Sequence, residues 1–140
     1  MGEGRRSARS KAQVRVSGFM LDTGALIAVD RGDRRMLALL EAIRDEGAAL
    51  SVTAPVVAQA WRGAGRQARL ASLLKQSVLE ILPFTPVDAL AAGTLSAMTK
   101  HRDVVDVHVV LLARARGRTI VTSEPSDMRR VDPSAPIVEI

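Results

Sequence analysis

Residues 18–30 read GFMLDTGALIAVD. Phe19, Met20 and Leu21 make a short apolar run that stops on Asp22, and a small apolar helical pattern starts directly behind it. A carboxylate at such a junction has two explanations. As a helix N-cap, its oxygen accepts from the orphan backbone N–H groups of the first turn. As a site residue, it stands at the carboxyl end of a strand, where open parallel sheets bind their ligands. The rest of the chain weighs one against the other.

Downstream, strand and helix patterns alternate. Val16–Leu21 predicts the first strand, and residues 23–31 a short helix ending near Gly32. Asp33 caps a second helix whose stripe is Met36, Leu39, Leu40 and Ile43, with Gly47 as its stop. Residues 48–53 predict a strand, and Thr53 caps a helix with Pro55 in its first turn, running to about Trp61. Gly63 and Gly65 break the pattern. Gln67–Lys75 resumes it with Leu70, Leu73 and Leu74 inward. Residues 77–84 predict an edge strand, because Pro83 and Pro86 follow. Val87–Met98 predicts an alanine-rich helix, and 103–117 a buried one. A strand over 118–123, a helical turn over 124–130 and an edge strand over 136–140 complete the chain. This alternation predicts an α/β domain with a mainly parallel central sheet and helices on both faces.

At 140 residues the chain has room for one domain and one core. It has no cysteine, which removes disulfides, zinc–thiolate sites and thiol nucleophiles. Its apolar windows are broken by charge well short of a membrane span, and the basic, polar beginning is unlike a secretory signal. No membrane association and a cytoplasmic location are expected. The net charge of +5 is unevenly placed: Arg5, Arg6, Arg9, Lys11 and Arg15 stand against Glu3, so the first 18 residues hold four of the five. Residues 1–16 therefore read as a disordered basic tail and 17–140 as a nearly neutral domain. Net charge does not mark the domain as a nucleic-acid binder.

The acids gather at one end of the expected sheet. Asp22 ends the first strand. Glu124 follows the fourth strand, with Asp127 a turn further. Asp103 and Asp106 open the buried helix, and their spacing of three puts both on one helical face. Asp103 suits an N-cap, and Glu124 and Asp127 suit the positive end of a helix. Asp106, one turn in and bordered by valines, is not so easily dismissed. Four or five acids in one place repel each other, and such clusters hold hard cations. Mg²⁺ or Mn²⁺ suits an all-oxygen set, with neither cysteine nor a spaced histidine pair to favour zinc.

The segments LDTGALIA, TAPVVAQAWRG, DVVDVHVVLLARARG and IVTSEPSDM, in that order over roughly residues 17–139, resemble the PIN-domain ribonucleases. They look most like the VapC-type toxins of bacterial toxin–antitoxin pairs. The resemblance implies a PIN-like three-layer α/β/α fold with acids around one or two Mg²⁺ ions. Asp22 matches the first acidic position. Asp106 matches the acid opening an alanine-spaced helix, here DVHVVLLA with Val107 for the usual alanine. Glu124, within VTSEPSD, matches the acid after the last core strand, and Asp127 can share its part. The family's helix glutamate falls at Gln59, a departure. Glutamine can coordinate through its carbonyl oxygen but cannot serve as a general base.

The resulting catalytic set is Asp22, Asp106, Glu124 and Gln59. The metal set is Asp22, Asp106, Asp103, Glu124 and Asp127. Thr122 and Ser123 are candidates for site waters or substrate. Arg62, Arg66 and Arg69, four and three apart, are candidates for RNA phosphates, with solvated helix charges as the plain alternative. The implied activity is Mg²⁺-dependent RNA endonuclease action leaving a 5′-phosphate, with a small antitoxin as partner. A homodimer could use part of the Met36/Leu39/Leu40 or Leu70/Leu73/Leu74 stripe. Gln59 keeps an alternative open: a weakened PIN domain that binds RNA or protein without cutting. An aspartyl phosphotransferase would want a second Asp where Gly24 stands. His108 reads as structural, and His101, in a loop, carries no signal.

Overall fold

The computed structural model describes residues 18–140. The basic tail and the expected start of the first strand lie outside the described residues. In chain order the elements are β1 (Gly18–Leu21), α1 (Thr23–Arg31), α2 (Arg34–Glu46), β2 (Ala49–Thr53), α3 (Ala54–Ala60), α4 (Ala68–Leu74), β3 (Leu79–Leu82), α5 (Pro86–Thr99), α6 (Val104–Arg116), β4 (Thr119–Thr122), α7 (Pro125–Val131) and β5 (Ile137–Glu139). The strands form one sheet in the order β3-β2-β1-β4-β5, with every neighbouring pair parallel. The expected alternation is what the chain forms.

Local chemistry sets the boundaries. Asp33 accepts from the Arg35 N–H to start α2, and Gly47 ends it in the left-handed conformation, φ 67°. Thr85 and Asp88 make a reciprocal capping box around the start of α5, with Pro86 in its first turn. The central strand must be apolar on both faces, because helices cover both. Met20 and Leu21 are accordingly buried, as are Val52 on β2 and Ile120 and Val121 on β4.

The helices pack in two groups. One holds α1 with α2, α3 and α4; the other holds α6 with α5 and α7. α6 lies against β1, β2 and β4 and buries Val107, His108, Val109, Val110 and Ala113. That is the three-layer α/β/α arrangement.

Met36, Leu40, Leu70 and Leu73 are buried in the core. These stripes serve mainly the core, with Leu39 and Leu74 as their partly exposed members. The large exposed apolar side chains lie elsewhere, with Val87, Leu90 and Met98 of α5 each about three-quarters exposed.

Candidate active site

Asp22 sits where the central strand ends. Its backbone N–H donates to the Val121 carbonyl at 3.1 Å, carrying the β1–β4 pairing one residue further. Its Oδ1 accepts from the Ala25 N–H at 3.0 Å. The residue is thus the N-cap of α1 and, at 5 % exposed, a buried acid as well. Burial pushes its carboxyl above the usual range. Hydrogen bonds from Thr122, Ala25 and Gly24 oppose that, and the Asp106 charge adds to the rise.

Asp106 stands in the first turn of α6. Burial raises its carboxyl too. A hydrogen bond from His101 works against the rise, and the charges of Asp103 and Asp127 add to it. Asp106 therefore lies within electrostatic reach of three acids: Asp22 just past β1, Asp103 at the α6 cap and Asp127 on α7. Asp103 already has work: its Oδ1 accepts from the Val105 and Asp106 N–H groups at 3.0 and 3.3 Å. Glu124 is exposed, immediately before α7, and makes no side-chain cap there.

Thr122 is fully buried beside Asp22. Its Oγ1 accepts from the Glu124 N–H at 2.9 Å, and its hydroxyl bonds the Asp22 carboxylate. Ser123 is exposed. A Cβ at position 24 would come within 2.2 Å of Ser123 Oγ and 3.4 Å of Asp22 Oδ1, so Gly24 is what admits the Ser123 hydroxyl beside Asp22. Gln59 lies at the same end of the sheet. Its Oε1 accepts from the Thr23 hydroxyl at 2.6 Å, next to Asp22, and it brings an oxygen without a charge.

The three arginines do not form one face. The Arg62 guanidinium folds back onto its own helix's last carbonyls, Trp61 at 2.8 Å and Ala58 at 3.5 Å. Arg66 stands exposed in the turn between α3 and α4. Arg69 packs over Gly32 at the end of α1. Between them the buried Gln67 clasps the loop: its Oε1 accepts from Arg62 and Gly63 N–H at 2.5 and 3.2 Å, and its Nε2 donates to the Ala60 carbonyl at 2.9 Å.

Two histidines stand out. His108 is structural, as expected, buried with Nε2 at 3.1 Å from Asp88 Oδ2 and its ring set edge-on to Phe84. His101 is the residue that sequence reasoning missed. Its Nε2 lies 3.0 Å from Asp106 Oδ2. No spacing rule marks a loop histidine five residues before an acid.

Among the described residues, no three Asp, Glu or His side chains converge closely enough to hold an ion by themselves. The donor chemistry still fits Mg²⁺, which binds through one or two carboxylates and fills its other positions with water and substrate phosphate. Asp22 and Asp106 are two such carboxylates, and the repulsion between them is what a divalent cation would relieve.

The family model of the PIN domain matches residues 19–133, and the chain belongs to that family. No curated protein matches the sequence. Among solved structures, it is similar to VapBC2 from Rickettsia felis bound to a DNA fragment from their promoter. The TM-score is 0.66 at 19 % identity, covering 87 % of this chain and 98 % of that one. FitAcB from Neisseria gonorrhoeae gives 0.63 at 19 %, covering 86 % and 96 %. FitAB bound to an IR36 DNA fragment gives 0.62 at 16 %, covering 86 % and 94 %. At these identities the likeness is one of fold. No helix of the described residues is long and apolar enough to cross a membrane.

Proposed function

We propose that this chain is a Mg²⁺- or Mn²⁺-dependent RNA endonuclease of the VapC toxin type, working in the cytoplasm and restrained by a small antitoxin. The observation that carries the reading is the Asp22–Asp106 pair: one buried and one partly buried carboxylate, each raised by desolvation and within reach of the other's charge, at the end of the central strand of a PIN domain. Asp22 and Asp106 would hold the ion, with Asp103, Glu124, Asp127 and Gln59 placed to orient waters around it. Such an ion, when bound, would make water more acidic for attack and supply positive charge for the phosphoryl and leaving oxygens. Thr122 keeps the Asp22 carboxylate oriented. Gln59 can direct a water through its amide but cannot take a proton.

The partner reading rests on likeness to FitAB, FitAcB and VapBC2. A groove of about 740 Å³ between α2 and α4 suits a segment of such a partner, with Val29, Leu37 and Leu73 on its floor and Arg34, Arg44 and Arg69 around it. Pairing of two copies would cover the exposed side of α5. Gln59 favours one second reading, a PIN domain that binds RNA or protein without cutting.

A panel of structured and single-stranded RNAs incubated with Mn²⁺, with EDTA as control, separates the two. Metal-dependent cuts with 5′-phosphate ends support the nuclease. RNA retention by wild type and Asp106→Asn alike, without cuts, supports the binding module.

A further inference from the structure

His101 stands in none of the family motifs quoted above, yet it is among the most constrained side chains near the acids. Lys100 ends α5 in the left-handed conformation, φ 60°. The Ser96 hydroxyl then donates to the His101 carbonyl at 2.6 Å. These two features aim the ring inward, where its side chain is 8 % exposed and its Nε2 meets Asp106 Oδ2. Among the described residues no other hydrogen bond reaches the Asp106 carboxylate.

The two acids are therefore held differently. Asp22 is oriented by several donors, the Ala25 and Gly24 N–H groups and the Thr122 hydroxyl. Asp106 is oriented once, by His101. The terminal torsion of an aspartate is broad and roughly two-fold, so a carboxylate without a fixed partner samples many orientations. A single N–H on one oxygen stops that rotation and leaves the other oxygen open.

We propose that His101 is a positioning residue for the metal-binding carboxylate: its Nε2–H engages Asp106 Oδ2 and leaves Oδ1 as the oxygen offered to a divalent cation. The inference rests on the metal reading of the site. Partners of this kind orient ligands and are worth about 10- to 100-fold in metal affinity.

The test compares His101→Leu with His101→Gln at one fixed pH. Both keep a side chain of similar bulk, and only glutamine keeps an N–H donor at the reach of Nε2. Free Mn²⁺ is followed by its electron paramagnetic resonance signal during titration of wild type, both variants and Asp106→Asn. Melting curves in EDTA confirm that each protein is folded. The expected result is Mn²⁺ binding weakened at least about 10-fold in His101→Leu, largely recovered in His101→Gln, and lost in Asp106→Asn. Wild-type affinity in His101→Leu, or equal loss in both variants, overturns the role of His101 while leaving the metal site standing. No Mn²⁺ binding by the wild type overturns the metal reading and this inference together.

Discussion

Two histidine–aspartate pairs sit on or beside α6, and they behave in opposite ways. His101 meets Asp106 at 3.0 Å and His108 meets Asp88 at 3.1 Å, in both cases through Nε2 and Oδ2. The two carboxylates are about equally covered, 19 % and 21 % exposed. Yet Asp106 is pushed above the usual carboxylate range, and Asp88 is held below it. The reason lies beyond the pair. Asp106 has the charges of Asp103 and Asp127 nearby, and its desolvation outweighs its hydrogen bond. For Asp88 the His108 bond comes first, and the Thr85 backbone adds to it. Bond geometry alone does not decide whether a carboxylate is comfortable as an anion. One pair clamps two helices together; the other keeps an anion where it is disfavoured, which is the condition of a cation site.

The largest test of that contrast is catalytic. Asp106→Asn is expected to lower RNA cleavage by about 100-fold or more, since several kcal/mol of charge stabilisation depend on the ion it holds. Asp88→Asn should cleave like wild type at a temperature where both are folded. Equal losses in a timed cleavage assay would erase the distinction. Next in size, His108→Ala should cost roughly 2 kcal/mol or more in urea unfolding, because it empties a fully buried site against Phe84. A smaller cost would mean that the clamp is not structural.

The third test is one of sign. In EDTA at pH 7.5, Asp106→Asn should stabilise the protein by a few tenths to about 1 kcal/mol, part of the repulsion being screened by solvent, whereas Asp88→Asn should destabilise it. Charged Asp106 costs stability above the ordinary carboxylate range. That cost is relieved as pH falls through its raised folded-state pKa, so the advantage of Asn shrinks on acidification. Asp88 contributes stability above its ordinary value and loses it only as pH falls through its depressed folded-state pKa, so its deficit persists at pH 5. Melts at both pH values read both signs. A destabilised Asp106→Asn would mean that the helix dipole attraction at the start of α6 outweighs the repulsion. The smallest expected effect is that of Gln59→Glu. It adds a charge where Thr23 already donates a hydrogen bond, so Mn²⁺ should bind several-fold tighter in calorimetry while the metal-free protein melts slightly lower. Unchanged affinity would remove Gln59 from the site.

The layered fold was legible because its signals are local. Gly47 and Gly117 stop α2 and α6 in the left-handed conformation, and the prolines after β3 suit a strand at the edge of the sheet. The candidates Asp22, Asp106 and Asp127 could be picked out for the same reason, since each follows a strand end or stands in the first turn of a helix. His101 was not, because its contact depends on a lysine taking a glycine-like φ at the end of α5. The arginine spacing misled because Gln67 clasps the loop between α3 and α4 and breaks the helical register that the spacing assumed. Gly24 gave only an argument against a phosphotransferase, and its use in admitting Ser123 depends on two loops meeting across the sheet.

The pairing of β1 with β4 sets a timetable. Leu21 lies opposite Val121, one hundred positions later, and Asp106 and Thr122 also come from far downstream of Asp22. During synthesis, at roughly 5–20 residues per second, about 5–20 s separate the appearance of Asp22 from that of its partners. A nascent chain holds the first acid alone and can assemble no catalytic centre. On the proposed reading, a half-translated nuclease is harmless to the very message that encodes it, and the need for a restraining partner begins only once β4 has been made.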